Sequence, residues 1–196
     1  PDQLRPLRLT TGYTRYADGP VLAEMGHTRA LCNATVDPHL PSWLRNADPP
    51  QGWITATYNM LPRSTHTRTD RETRGPSGRT QEIQRLIGRS LRACVALNHL
   101  PSTQILVDCD VLQADGGTRT AAITGGYVAV ALAIQHWAAS QNLQLPPLTP
   151  IAAISVGQVG QTTCLDLCYE EDSQATTDFN VVMNAHGHYI ELQGSA

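Results

Sequence analysis

The alternation of apolar and polar positions predicts several short strands in the first half of the chain. Residues 20–36 (PVLAEMGHTRALCNATV) indicate two strands about a turn at Gly26 and His27. Residues 52–60 (GWITATYNM) are rich in β-branched and aromatic side chains and predict a third strand. Residues 103–113 (TQILVDCDVLQ) predict a further strand with acidic side chains on one face.

Apolar residues recur at helical spacing in two longer segments. The first runs from Thr80, which we expect to be the N-cap, to about Asn98. The second covers residues 119–140 and contains the neighbours Gly125 and Gly126, which lower helix stability. Because such glycines are tolerated where a helix packs closely against a sheet, we expect this helix to be buried.

A proline-rich joint at residues 143–150 (LQLPPLTP) separates these elements from the last part of the chain. Beyond it, the pattern predicts four strands, at residues 151–159, 162–170, 179–185 and 188–194. A chain of 196 residues with this order of elements is most simply one globular domain of mixed α and β structure.

Charge is distributed unevenly, although the formal net charge is only −3. All 14 basic residues are arginines, and eight of them lie between positions 63 and 92. Eight arginines against three acids give that window about +5, and six arginines against fourteen acids give the rest about −8. Arginine forks fit phosphate oxygens, so the window is a candidate surface for a polyanion.

Residues 61–79 (LPRSTHTRTDRETRGPSGR) have no apolar periodicity and predict a long loop within this basic window. Long loops usually serve a function or are disordered. The alternative to a polyanion surface is a solvated face with local ion pairs, for example Asp70 or Glu72 with Arg71 or Arg74.

Other features of the composition argue against several classes of protein. The five cysteines have no CxxC spacing, which argues against a disulfide framework and against a zinc site. The longest apolar stretch, residues 125–134 (GGYVAVALAI), is shorter than a membrane span, and no secretory leader is visible. We therefore expect a cytoplasmic protein that does not enter a membrane.

Residues 111–127 (VLQADGGTRTAAITGGY) place two glycines between a predicted strand and a predicted helix. Glycines let the backbone approach another group closely, and Thr118 and Arg119 follow where the helix begins. Helix starts bind small anions because their first N–H groups are free. Gly116 and Gly117 therefore suit an anion site, and the alternative is an ordinary turn.

Asp172 and Asp178 form an acidic pair within EEDSQATTD. They are six residues apart, so they converge only if the chain bends between them, and the intervening serine and threonines favour a turn. Carboxylate oxygens are hard ligands of the kind that suits Mg²⁺, which takes only one or two carboxylates. The alternative is a pair of solvated acids at a strand end.

Five stretches of the chain carry a family resemblance: GWITATYNMLPRSTHTR, GRTQEIQRLIGRSLRA, DCDVLQADGGTRTAAITG, LDLCYEEDSQATTDFNVVM and ELQG. Together they resemble ribonuclease PH, the phosphate-dependent exoribonuclease that trims the 3′ ends of transfer RNA precursors. The match runs in one register from about Leu4 to Ala196. The basic DGR element that opens family members is absent before Pro1, and the chain stops where members continue into a C-terminal helix. We expect residues 1–196 to form a single ribonuclease PH-type domain without those two ends.

The resemblance implies a phosphate site. Inorganic phosphate would be held by Thr118 and Arg119 together with the Gly117 backbone, and by a second arginine that corresponds to Arg79. Two helix starts would then converge on one anion, which is consistent with the anion affinity of such positions.

The resemblance also implies roles for the acids and for the basic loop. Asp172 and Asp178 would bind Mg²⁺ and act in catalysis. The body of transfer RNA would be gripped by arginines of the loop, namely Arg63, Arg68, Arg71 and Arg74.

For the whole protein, the resemblance implies an α/β sandwich with left-handed βαβ crossovers, assembled as a hexameric ring of three dimers. The enzyme would release nucleoside diphosphates from transfer RNA precursors, with ribosomal RNA as a further substrate, and the reaction would be reversible. The alternative is a catalytically inactive RNA-binding subunit of an exosome-like ring, which keeps the fold without the chemistry.

Overall fold

The computed structural model describes residues 1–195 and contains nine strands, three α-helices and one 3₁₀ turn, Leu97–His99, in that range. The strands are β1 (Leu7–Thr11), β2 (Gly19–Met25), β3 (Thr28–Asp37), β4 (Trp53–Met60), β5 (Gln104–Gln113), β6 (Ile151–Val159), β7 (Thr162–Leu165), β8 (Thr177–Asn184) and β9 (Tyr189–Ser195). The helices are α1 (Gly78–Arg92), α2 (Thr118–Ser140) and the single turn α3 (Tyr169–Asp172). The predicted mixed α/β class is confirmed.

The strands form two sheets. The first has the order β1-β2-β3-β5-β4, and its pairs are antiparallel except β4 and β5, which α1 connects as a parallel β-α-β unit. The second has the order β7-β6-β8-β9 and is antiparallel throughout. Because β4 and β5 are parallel, the loop after β4 and the glycine turn after β5 leave the same edge of the first sheet.

Helix α2 lies between the sheets and packs against β2, β3 and β5 on one side and against β6 on the other. A helix that is apolar all round is a buried helix. Gly125 is needed for this packing, because a Cβ there would lie 2.7 Å from Ala23 Cβ and 3.0 Å from Cys32 Sγ. The expectation that a glycine-containing helix is buried against a sheet is confirmed.

Within residues 1–195, α2 is also the one helix that is long and apolar enough to cross a membrane. The expectation that no segment reaches that length is therefore wrong. It rested on uninterrupted apolar residues, whereas the mean hydropathy of the helix tolerates interspersed threonine and glutamine. Most of this apolar stretch is buried between the sheets, as in the core helix of a globular domain.

The boundaries of two elements differ from the sequence-based expectation. Helix α1 begins at Gly78 and its N-cap is Ser77, not Thr80, because the serine side chain accepts a hydrogen bond from the Thr80 amide. The strand expected at residues 162–170 ends at Leu165, where the chain turns into α3. Strand β1 was not expected.

Candidate active site

One polar cavity of about 410 Å³, which we call the arginine–aspartate cavity, lies between the starts of α1 and α2, the end of α3, the start of β8 and the end of β9. Arg79 of α1 and Arg119 of α2 line it together with Asp172 of α3 and Asp178 of β8. The rest of the lining consists of Glu82, Asn180, Gln193, Gly194 and Ser195. The structure thus brings together the two arginines and the two acids that the sequence singled out.

The glycine turn before α2 serves close packing as well as an open helix start. Gly116 and Gly117 have left-handed backbones, with φ of 72° and 63°. A Cβ on Gly116 would lie 2.3 Å from the Leu167 carbonyl oxygen, so only glycine lets these two segments pass so closely. Gly117 is the N-cap of α2 and provides no side-chain hydrogen bond to the helix. The first N–H groups of α2 are therefore left for an external acceptor.

Thr118 begins α2 beside Arg119 and adjoins the arginine–aspartate cavity without lining it. Its Oγ1 accepts a hydrogen bond from the hydroxyl of Tyr58, at 2.9 Å. Burial raises the pKa of the Tyr58 phenol, so the ring keeps its proton and acts as the donor. The phenol proton binds a lone pair of the Thr118 oxygen, so the proton of the threonine hydroxyl remains available to a second acceptor.

Glu82 orients Arg119, although the sequence analysis did not assign it a role. Arg119 Nη2 donates to Glu82 Oε2 at 3.0 Å, and Gln193 Nε2 donates to the other carboxylate oxygen. Burial acts to raise the pKa of Glu82, but hydrogen bonds from Gln193 and Arg119 outweigh it and the pKa is lowered. Glu82 follows Arg79 by three residues on α1, so helical spacing could have placed both on one face.

Arg119 keeps unused hydrogen-bonding capacity. Its Nε has no partner within residues 1–195, although the atom is buried. A buried donor without a partner is costly, and such groups are usually satisfied by water or by a ligand. The guanidinium is therefore suited to an additional acceptor such as a phosphate oxygen.

Asp172 and Asp178 line the same cavity because the chain turns between the end of α3 and the start of β8. Burial, and then repulsion by Asp178, raise the pKa of Asp172, while Arg119 and Arg79 act in the opposite direction. Asp178 accepts a hydrogen bond from Ser195. Neither carboxylate forms an ion pair with the part of the chain that the structure describes.

Two neighbouring carboxylates without a cationic partner fit a divalent cation that is held largely through water. Mg²⁺ keeps several waters and takes one or two carboxylates. A cation here would also relieve the repulsion that raises the pKa of Asp172. No group of three or more His, Cys, Asp or Glu side chains within residues 1–195 is arranged to hold a metal, so an ion here would depend on water and substrate oxygens.

Arg5 connects the glycine turn with the segment that leads into α3. Its backbone N–H and Nη2 donate to the two carboxylate oxygens of buried Asp166, at 2.8 and 2.7 Å, and Nη1 donates to the Asp115 carbonyl at 2.5 Å. Asp115 Oδ1 in turn accepts from the Tyr169 amide at 3.2 Å. These contacts join the arginine side of the cavity to its acidic side. The sequence did not reveal them, because Arg5 lies 110 and 161 positions from its partners.

The arginines expected to bind RNA lie in the segment between β4 and α1, which has no helix or strand: Arg63, Arg68, Arg71 and Arg74. All four are exposed. Arg68 pairs with Asp70 at 2.6 Å, whereas Glu72 accepts hydrogen bonds from Ser77 and Thr80 at the start of α1. One local ion pair therefore forms in this segment, and it uses Arg68 in place of the expected Arg71 or Arg74. The segment keeps a net positive charge.

Comparison with protein families now adds to this geometry. The model of domain 1 of the 3′ exoribonuclease family matches residues 3–134, and the model of domain 2 of the same family matches residues 149–196. The chain belongs to the 3′ exoribonuclease family. The two matches follow one another along the chain, and the resemblance to ribonuclease PH is confirmed.

Solved structures of exosome proteins share the fold of this family member. Rice (Oryza sativa) Rrp46 aligns with a TM-score of 0.80 at 20% identity, over 100% of this chain and 83% of that one. The Archaeoglobus fulgidus exosome with RNA bound to the active site aligns with a TM-score of 0.81 at 21% identity, over 100% of this chain and 79% of that one. The archaeal exosome core aligns with a TM-score of 0.77 at 19% identity, over 100% of this chain and 76% of that one. At such identities, the likeness concerns the fold.

Proposed function

We propose that this chain is a phosphate-dependent 3′→5′ exoribonuclease that trims the 3′ ends of transfer RNA precursors. The observation that carries the proposal is the arginine–aspartate cavity itself. Arg79 and Arg119 reach it from two helix starts, Asp172 reaches it from the end of α3, and Asp178 reaches it from β8 of the second sheet. Family membership supports exoribonuclease chemistry, and the basic segment before α1 supports an RNA substrate.

The attacking group in this proposal is inorganic phosphate bound at the start of α2. Arg119, oriented by Glu82, and Arg79 would donate to phosphate oxygens, and charge-assisted hydrogen bonds of this kind are strong. The free proton of the Thr118 hydroxyl and the uncapped N–H groups of α2 would satisfy further oxygens.

The reaction is an in-line displacement at phosphorus. An oxygen of the bound phosphate attacks the last phosphodiester, and the bond from that phosphorus to the 3′ oxygen of the preceding ribose breaks as the new bond forms. The 3′ oxygen leaves with the proton that the attacking hydrogen phosphate gives up, so a nucleoside diphosphate and an RNA shorter by one nucleotide are the products. Such transfers depend mainly on positioning and charge stabilisation, and the reverse reaction would add nucleotides.

Asp172 and Asp178 would hold Mg²⁺ in the same cavity. When bound, the ion neutralises charge on the transferred group. Asp172→Asn and Asp178→Asn should each remove most Mg²⁺-dependent turnover without unfolding the protein, because an amide keeps the shape and loses the charge. Near-full activity of either variant would show that its carboxylate is not required.

A second candidate function is an inactive RNA-binding subunit of an exosome-like ring. The fold similarity to exosome proteins favours it. The presence of both arginines, both acids and the open α2 start in one cavity favours the enzyme, because a scaffold has no use for them together.

One assay separates the two functions. The protein is incubated with a 3′-extended transfer RNA, with and without inorganic phosphate, and nucleoside diphosphates are measured. We expect them only when phosphate is present, and not with Asp172→Asn. RNA binding without nucleoside diphosphate release would establish the inactive subunit instead.

The basic segment and the assembly form separate parts of the proposal. Replacing Arg68, Arg71 and Arg74 should weaken binding of whole precursors and flatten its salt dependence, while cleavage of a short single-stranded RNA is spared. Equal loss on both substrates would place these arginines in the active site. We also propose a hexameric ring of three dimers, and light scattering that gives only the 21.3 kDa chain mass would contradict it.

A further inference from the structure

A second and larger cavity, of about 750 Å³, lies beside the start of α3, and we call it the Tyr169 cavity. Its walls are the β2–β3 turn, the first residues after β4, the end of β5 and the start of α3. The other end of α3 is Asp172, which lines the arginine–aspartate cavity. A helix of four residues is only about 6 Å long, so the two cavities are near neighbours.

An exposed aromatic pair stands in the wall of the Tyr169 cavity. The rings of Tyr169 and His66 have their centroids 5.5 Å apart at an angle of 52°, and Tyr169 is 50% exposed. Half-exposed aromatic rings beside a nucleic-acid-processing site are suited to stacking, because every base presents a flat face of π electrons.

A polar group without a partner lies in the same wall. Ser64 is only 3% exposed, and its Oγ makes no hydrogen bond within residues 1–195. A buried hydroxyl left without a partner costs free energy, and most such groups in proteins are satisfied by another group, a water or a ligand. A ligand with hydrogen-bonding atoms at its edge would supply the missing partner.

The charges around the cavity argue against a phosphate as that ligand. Two cationic and two anionic side chains line it: Arg5, Arg63, Asp115 and Glu170. Arg5 is already committed to buried Asp166, and Arg63 donates to the carbonyl of His66. Two histidines, His27 and His66, also line the wall. An uncharged ligand with flat apolar faces and polar edges fits better, and a nucleobase has that character.

We propose that the Tyr169 cavity holds one base near the 3′ end of the RNA, stacked on Tyr169 and contacted by the Ser64 hydroxyl. The inference rests on the proposed function for the identity of the ligand. It adds a base-binding subsite to a site whose other groups are proposed to contact phosphate and metal.

The test uses binding, so it does not depend on turnover. A labelled single-stranded RNA is prepared as a series in which each 3′-terminal nucleotide in turn lacks its base. We expect one member of the series to bind the unaltered protein roughly tenfold more weakly, because loss of one stacked base has an effect of that order. Tyr169→Ala should weaken binding of the intact RNA by a similar factor. It should cause no further weakening with the RNA that lacks the base at that one position. Tyr169→Phe keeps the aromatic ring, so it should bind both RNAs as the unaltered protein does.

Ser64→Ala should reduce the preference among the four bases at that same position, because it removes the edge contact. The matched control is Tyr189→Ala, which removes a tyrosine of comparable exposure from the start of β9, away from the cavity. Additive losses in Tyr169→Ala, or no sensitivity to any missing base, would overturn the proposal. A change in oligomeric mass with Tyr169→Ala and no such coupling would also overturn it, by showing that another copy of the chain fills the cavity.

Phosphate-dependent nucleoside diphosphate release, measured on the same RNAs, separates this inference from the proposed function. If nucleoside diphosphates are released but the missing base and Tyr169→Ala weaken binding independently, the base subsite alone is overturned. Coupling without release overturns the proposed reaction and keeps the subsite, which would then belong to an RNA-binding subunit.

Discussion

Helices α1 and α2 both begin at the arginine–aspartate cavity, but their first turns are built in opposite ways. At α1, Ser77 Oγ accepts from the Thr80 amide at 3.2 Å, and Glu72 accepts from the Ser77 amide and the Thr80 hydroxyl. At α2, a left-handed Gly117 occupies the cap position and provides no side-chain hydrogen bond. A capped start is a stabilising feature, whereas an uncapped one leaves its amides for a ligand.

The difference assigns separate tasks to the two helices. Helix α1 contributes the side chains of Arg79 and Glu82, and its own start is closed by Ser77. Helix α2 contributes Arg119 together with free backbone donors. Both helix starts therefore bring an arginine to the cavity, as expected, but only α2 also offers free backbone amides.

The largest effect should follow from closing the space around the glycine turn. Gly116→Ala places a Cβ 2.3 Å from the Leu167 carbonyl oxygen, which forces the turn and the segment before α3 apart. A displacement of about 1 Å in a catalytic constellation can cost ~10²-fold in rate, and we expect a loss of at least that order. Nucleoside diphosphate release and thermal unfolding are the measurements.

Gly160→Ala is the matched control for that substitution. Gly160 has a similarly left-handed backbone, with φ of 58°, but nothing lies within 4 Å of its added Cβ. Equal losses of activity in the two variants would show that backbone strain, and not the close approach to Leu167, is responsible.

The next effect concerns the arginines of the two helix starts. Arg119→Ala should lower kcat/KM for phosphate by ~10²–10³-fold, as expected when a donor to a charged reacting group is lost. Arg79→Ala should have a smaller effect, because Arg79 is more exposed. RNA binding should be nearly intact in both, and Arg85→Ala, on α1 outside the cavity, should match the unaltered protein. Unchanged phosphate dependence in both cavity variants would refute the assignment.

A smaller effect should follow from loosening what holds the α2 start in place. Arg5→Lys keeps the charge beside Asp166 but loses the fork that also reaches the Asp115 carbonyl. We expect a fall in kcat on the order of tenfold, less than a full 1 Å misplacement causes, with a higher KM for phosphate. If only the unfolding temperature falls while both kinetic constants persist, Arg5 has a purely structural role.

Ser77→Ala tests the capped start and should leave the chemistry alone. Loss of a serine N-cap costs about 1 kcal/mol of stability. Urea unfolding should register that cost, whereas the KM for phosphate should not change. A large rise in this KM would mean that the α1 start also contacts the anion.

The smallest effect is the pH dependence that Glu72 gives to the start of α1. Hydrogen bonds from Ser77 and Thr80 lower the pKa of Glu72. The folded state therefore favours the ionised form of Glu72. The contribution of this form to stability is complete above the ordinary glutamate pKa of about 4.3, and it is lost as the pH falls through the lowered pKa of the folded state. Protection of the Ser77 amide, which donates to Glu72, should decrease over that range in the unaltered protein and show no such decrease in Glu72→Gln. The Ala121 amide of α2, which bonds to the Gly117 carbonyl, should show no such change.

Local patterns determined much of the architecture. The periods of two and 3.6 residues located most strands and both long helices, because side-chain burial repeats along a single element. The same local chemistry, a glycine pair before a helix and two acids around a turn, indicated where an anion and a cation could bind. The N-cap of α1 was misplaced because Ser77 and Thr80 are both competent caps, and only the backbone decides between them.

Tertiary structure alone decided how these pieces meet. The contact of Arg119 with Glu82, the link from Arg5 to Asp166, and the passage of Gly116 against Leu167 join residues far apart in the chain. No periodicity records such pairs, since each depends on how the two sheets and the intervening helix pack. The sequence by itself therefore supplied the chemical groups of the site, and the packing of α2 between the sheets brought them to one cavity.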